Sequence, residues 1–141
     1  MNADTRLAGR VAGLALTVAI VELTLTSAYI HLTLGGPLFT LNAAGYAALA
    51  AAIAVGAAAP TRLIARFAWL PRIGLAGFTA ATIIGYLVIG PYFTLGWATK
   101  AIEVAILILL AADTIRVYGS PTALVRAVIG SLFGPGPMRP A

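Results

Sequence analysis

The stretch LTLGGPLFTLNAAGYAALAAAIAVGAAAPT, residues 32–61, runs for 30 positions without one Asp, Glu, Lys or Arg. A helix crosses a hydrocarbon core about 30 Å thick with about 20 apolar residues, so this stretch is long enough to span a bilayer. Residues 73–99 form a second uncharged run of 27 positions. The whole chain of 141 residues is 61% hydrophobic and 9% charged, against about 25% charged in a soluble domain. Too few charges are present to wet a globular surface, and a mean hydropathy of +1.00 agrees. The length suits a single membrane domain covering residues 1–141.

Working outward, Gly35-Gly36-Pro37 reads as a turn followed by a helix start, because glycine accepts unusual dihedrals and proline suits a first helical turn. Four transmembrane helices are predicted, at about 11–33, 38–59, 73–89 and 95–117, arranged as two helical hairpins in an all-α integral membrane fold. The first run is longer than a signal-peptide core and leads straight into a second hydrophobic segment, so it is read as structure. Pro60 and Pro71 bracket an interfacial helix at about 61–70, where Arg62 and Arg66 share a face and Trp69 suits the headgroup region. Ser120-Pro121 reads as an N-cap and first residue of a short amphipathic helix at about 121–133 with an apolar stripe of Leu124, Val125, Val128, Ile129, Leu132 and Phe133. The Gly- and Pro-rich residues 134–141 are read as a loose tail.

With four spans, Arg6, Arg10, Arg62, Arg66, Arg72, Arg116, Arg126 and Arg139 all fall on one side. The positive-inside rule then expects both termini in the cytoplasm of an inner-membrane protein. A three- or five-span arrangement would divide these arginines between sides. The segment Gly36-Pro-Leu-Phe-Thr-Leu41 also aligns with Gly90-Pro-Tyr-Phe-Thr-Leu95 at an offset of 54 residues, which raises a parallel internal repeat related by an axis along the membrane normal.

Glu22 lies twelve residues after Arg10, about 18 Å along a helix and near the bilayer midplane. A carboxyl at that depth costs a few kcal/mol and is a functional-site hypothesis by default. Thr26, Tyr29 and Thr33 continue its face as a polar stripe, suited either to a proton or solute path or to interhelical hydrogen bonds. Lys100 and Glu103 sit in the fourth span, deeper if its helix starts at Pro91 than if it starts at Trp97. They read either as a locally neutralised pair or as a cluster with Glu22 and His31, in which two acids compete for one cation and one keeps a proton. His31, the only histidine, can serve haem, a quinone carbonyl or pH sensing, or can be an ordinary interfacial residue.

Asp113 and Arg116 read as a boundary ion pair, and Asn42 as an interhelical hydrogen-bonding residue. Ala44, Ala48 and Ala52 in the second helix, with Gly77, Ala81 and Gly85 in the third, read as close-packing seams. The absence of cysteine removes thiol chemistry, disulfides and cysteine metal sites. No zinc-protease, serine-hydrolase, phosphate-loop or dinucleotide motif occurs. No cofactor or metal is expected within the chain itself, although haem or quinone fits with a partner.

Three functions remain as expectations. The first is a non-catalytic accessory or structural subunit of a membrane complex, or a homo-oligomer. The second is a proton-coupled small-solute transporter using Glu22, Glu103 and Lys100. The third is a quinone- or haem-binding anchor using His31. Net charge +5 in three clusters beside apolar runs suits lipid headgroups rather than nucleic acid.

Overall fold

A computed structural model describes residues 3–133, which form helices joined by short connections, with no strand among them. The elements are α1 (Ala3–Leu34), α2 (Pro37–Ala58), α3 (Arg62–Arg66), α4 (Trp69–Ile89), α5 (Thr94–Tyr118) and α6 (Pro121–Phe133). The helices α1, α2, α4 and α5 have 32, 22, 21 and 25 residues, and all four are long and apolar enough to cross a membrane. At 1.5 Å per residue even α4 reaches about 31 Å, so each matches the hydrocarbon thickness.

The observed bounds differ from the sequence expectation in ways that follow from local chemistry. Helix α1 starts at Ala3 rather than near residue 11, because Arg6, Leu7, Ala8 and Arg10 are good helix formers and the single Gly9 among them costs only about 1 kcal/mol. The segment at 61–70 is not one interfacial helix. Thr61 caps the five-residue α3 by accepting from the Ile64 N–H, and the chain re-enters helix at Trp69. Pro71 falls in the first turn of α4, where a missing N–H leaves no helical bond unmade. Helix α5 begins at Thr94, between the two expected starts. Ser120 caps α6 through the Ala123 N–H. The tail expected at 134–141 lies outside the described residues.

The two similar hexapeptides adopt different backbones. Gly35 and Gly36 have φ of 73° and 83°, and helix follows at once from Pro37. A Cβ on either glycine would meet nothing within 4 Å, so the left-handed angle alone calls for glycine there. Gly90 has an ordinary φ of −72°, and extended chain continues to Phe93 before α5 starts. A Cβ on Gly90 would collide with the carbonyl and ring of Tyr86, so space is the requirement there.

Helix α1 packs against α2 and α5, α4 packs against α5 and, less extensively, α2, and α6 rests on α5 and α4. The apolar core is small: Ile20 and Ala28 from α1, Tyr46 and Ile53 from α2, Leu75 from α4, and Ile106 and Leu110 from α5. Around it are buried Thr17, Thr24, Ser27, Thr79 and Thr99, while large apolar side chains on every long helix face outward. This distribution suits lipid as solvent, where small and hydroxyl residues draw helices together and leucines cover the outside.

The two seams expected from small residues are not where the helices touch. Ala44, Ala48, Ala52, Gly77 and Ala81 are exposed, and Gly85 lies on a cavity wall. Close approach occurs instead at Gly45, Gly74 and Gly96, whose missing Cβ atoms leave room for Phe78, Leu49 and Tyr86 respectively. A large side chain seated on a glycine decides these contacts, and spacing along one helix does not reveal which glycine faces one.

Candidate functional site: a buried acid–base cluster beneath an apolar cavity

Three of the sequence-nominated residues converge. Glu103 is fully buried, His31 is 4% exposed and Lys100 is 8% exposed. Lys100 Nζ pairs with Glu103 Oε2 within one helical turn, and His31 Nε2 from α1 lies 3.7 Å from Glu103 Oε1. Helix α5 positions both Lys100 and Glu103 because a three-residue spacing puts them on one face. The close α1–α5 packing brings His31 across to them.

Hydrogen-bond geometry constrains the protons. His31 Nδ1 is 2.7 Å from the Ser27 carbonyl oxygen, which can only accept, so Nδ1 carries a hydrogen. Nε2 then meets Oε1 attractively only with a proton on one of the two, either as imidazolium or as carboxylic acid. Oε1 has no hydrogen-bond partner. Oε2, by contrast, is within hydrogen-bond distance of Thr82 Oγ1, at 3.0 Å.

The Thr82 hydroxyl lies 2.7 Å from the Tyr46 hydroxyl and 2.8 Å from the Thr79 carbonyl. Thr82 has one hydrogen, directed to either Thr79 or Glu103, and in both arrangements Tyr46 donates to Thr82. Tyr46 is itself fully buried, wedged between the His31 ring at 5.4 Å and the edge-on Phe78 ring at 4.9 Å. The cluster thus draws on all four long helices. Tyr46 and Thr82 were not nominated from the sequence. The available signal was one tyrosine inside an alanine-rich helix, which spacing alone cannot connect to a threonine two helices away.

Above this cluster is a partly open cavity of about 390 Å³ at the end of the bundle that carries the Gly35-Gly36 and Gly90–Phe93 connections. Its walls are apolar and aromatic, including Leu38, Phe39, Phe78, Tyr86 and Phe93. His31, Asn42, Thr82, Thr99 and Lys100 supply the polar lining, while Glu103 is not part of the wall. Asn42 therefore faces the cavity. Lys100 Nζ lies 5.5 Å from the centre of the Tyr86 ring, a cation–π contact that helps hold an ammonium beside an apolar wall.

Glu22, Thr26 and Tyr29 are not brought to this cluster. All three are exposed on the outer face of α1, Tyr29 at 68%. The grouping in which two acids compete for one cation is therefore not formed; one acid, Glu103, faces two basic side chains. Asp113 forms the other buried ionic centre, at the opposite end of the bundle. It pairs with Arg116, as the spacing suggests, and also with Arg72 of α4 at 2.8 Å. Helix α6 is tied down by its polar side, since Arg66 and Trp69 donate to the carbonyl and hydroxyl of Ser131. Val125, Ile129 and Leu132 face outward.

Among the described residues no three His, Asp or Glu side chains gather as a metal site. Set against family models, curated proteins and solved structures, the chain matches none of them.

Proposed function

We propose that the chain is a small membrane binding protein, with no catalytic machinery of its own, whose cavity takes a flat, mainly apolar molecule with a carbonyl head, of the quinone class. The observation that carries this reading is the cavity of about 390 Å³, apolar on its walls, with its two basic lining groups, His31 and Lys100, grouped at one place over a buried acid. Ligand sites of this kind combine an apolar body with a few convergent polar groups. The Lys100 ammonium has three hydrogens and Glu103 takes one, leaving donors for a carbonyl oxygen. Quinone is favoured over haem because both ring nitrogens of His31 already face partners, Ser27 and Glu103.

In this reading both termini face the cytoplasm, following the arginines, and the cavity opens toward the other leaflet. The four spans form two hairpins, and the chain acts as an accessory subunit or homo-oligomer that holds the ligand for a partner.

The test is titration of the protein in lipid nanodiscs with a short-chain quinone, read by quenching of Trp97, which stacks on Tyr92 and meets Tyr86 at the cavity. Saturable quenching that is lost in Ala81→Phe, which fills the cavity from its exposed wall, and weakened in Lys100→Met is the expected result. Quenching that rises linearly with quinone in the lipid, and is the same in all three proteins, would sink the reading.

A further inference from the structure

The outer face of α1 carries more than the four polar residues seen in sequence. Ala8, Ala12, Ala15, Ala19, Glu22, Thr26, Tyr29 and Thr33 follow one another at alternating steps of four and three residues. That is the 3.5-residue repeat of a left-handed helix seam. In the structure every one of these is exposed except the half-buried Ala19, so no other helix among the described residues covers the seam. A ridge of exposed Leu7, Val11, Leu14, Val18, Leu25 and Leu32 runs beside it in the same register. The seam extends about 38 Å from Ala8 to Thr33, the full depth of a membrane.

We infer that this seam is the interface between two copies of the chain, packed α1 against α1 in parallel. Three observations select a second copy over lipid or a foreign subunit. Lipid would leave Glu22 in hydrocarbon near the midplane, where intramembrane carboxyls face protein or water. The residues in the seam complement themselves: alanines in one half let two backbones approach, and hydroxyls in the other half both donate and accept. Finally, the arginines that orient the chain orient every copy alike, so two α1 helices meet in parallel with Glu22 level with its symmetry mate. Two carboxyl groups at one level bind each other when a single proton bridges them. A single carboxyl in a seam otherwise made of alanines and hydroxyl residues fixes register and partner number, as a lone polar residue does in soluble coiled coils. Thr26 adds to this, because its hydroxyl donates to the Glu22 carbonyl at 2.8 Å and keeps its oxygen free to accept.

The chain has no cysteine, so single cysteines can be placed without background. The full-length protein in its membrane, carrying one cysteine at Ala12, Ala15, Ala19 or Thr26, is oxidised and its dimers are compared with those from Ala44, Ala48 and Ile108, exposed positions on α2 and α5. Disulfide-linked dimers at the α1 positions, absent at the others, are expected. In the Ala15 background, Glu22→Leu is expected to weaken self-association roughly tenfold while Glu22→Gln retains most of it. Dimers that form equally on all helices, α1 adducts only with a foreign chain, or association unchanged in Glu22→Leu would each overturn the inference. Glu22 touches nothing in the cavity cluster, so failure here leaves the quinone reading standing, and the reverse holds too.

Discussion

His31 Nε2 and Glu103 Oε1 face each other across 3.7 Å from two different helices, one nitrogen and one oxygen with no other hydrogen-bond partner of the oxygen. This contact joins α1 to the Lys100–Glu103 pair of α5 and makes the buried cluster a tertiary object rather than a local one.

Removing Lys100 leaves the buried Glu103 with His31 as its one basic neighbour among the described residues. Lys100→Met is expected to destabilise the fold by about 3–5 kcal/mol, whereas Lys100→Met with Glu103→Leu recovers most of that loss, since buried ion pairs exchange well for apolar residues of similar size. Reversible unfolding in mixed micelles measures both. A double variant as unstable as the single one would show that the pair is not acting as a unit.

The Tyr46–Thr82 hydrogen bond links α2 to α4, which pack less closely than the other neighbouring pairs of long helices. Tyr46→Phe is expected to cost about 1 kcal/mol, and Thr82→Val more, because it also takes a donor from Glu103. A double-mutant cycle should give a coupling of about 0.5–1.5 kcal/mol; additive losses would place the two hydroxyls in separate roles.

Glycines separate sharply by what surrounds them. A Cβ on Gly45 would come within 2.5 Å of the Phe78 ring, so Gly45→Ala is expected to push α2 from α4 and cost about 1–3 kcal/mol. Gly77 has nothing within 4 Å, and Gly77→Ala is expected to be neutral or to stabilise by about 0.5 kcal/mol through helix propensity. Thermal unfolding of the two variants side by side checks the contrast. Equal effects would mean that α2 and α4 do not meet at Phe78.

Asp113 is the sole acid near Arg72 and Arg116 at the basic end among the described residues. Asp113→Asn is expected to cost about 1–3 kcal/mol, less than breaking the Glu103 cluster, because the Arg116 side chain is 41% exposed and partly screened. The loss should grow in Asp113→Leu, which removes the remaining acceptor. Urea titration in micelles at fixed ionic strength reads the order of the three proteins.

Ser131 ties α6 to the bundle through the Trp69 indole N–H, at 2.9 Å. Ser131→Ala is expected to shift Trp69 emission and to increase protease access to α6, with the cavity end unaffected. Unchanged emission would mean that the Arg66 contacts to the Ser131 carbonyl suffice to hold the helix.

Composition and uninterrupted apolar length determined the helix type and the four helices long enough to span a membrane, because burying a backbone in hydrocarbon leaves the helix as the answer for segments of this length. The pairs Lys100–Glu103 and Asp113–Arg116 were also legible, since a three-residue spacing puts both members on one helical face. Which residue from another helix completes each pair was not. His31 reaches Glu103, Arg72 reaches Asp113 and Tyr46 reaches Thr82 only because of how the helices rotate about their axes, and small-residue spacing pointed to the wrong faces for that rotation. The same rotation decided that Glu22 looks outward, away from Glu103. Depth along a helix follows from counting residues, but direction around it is set by which glycine accepts a neighbour's side chain, and that is a property of the packed bundle.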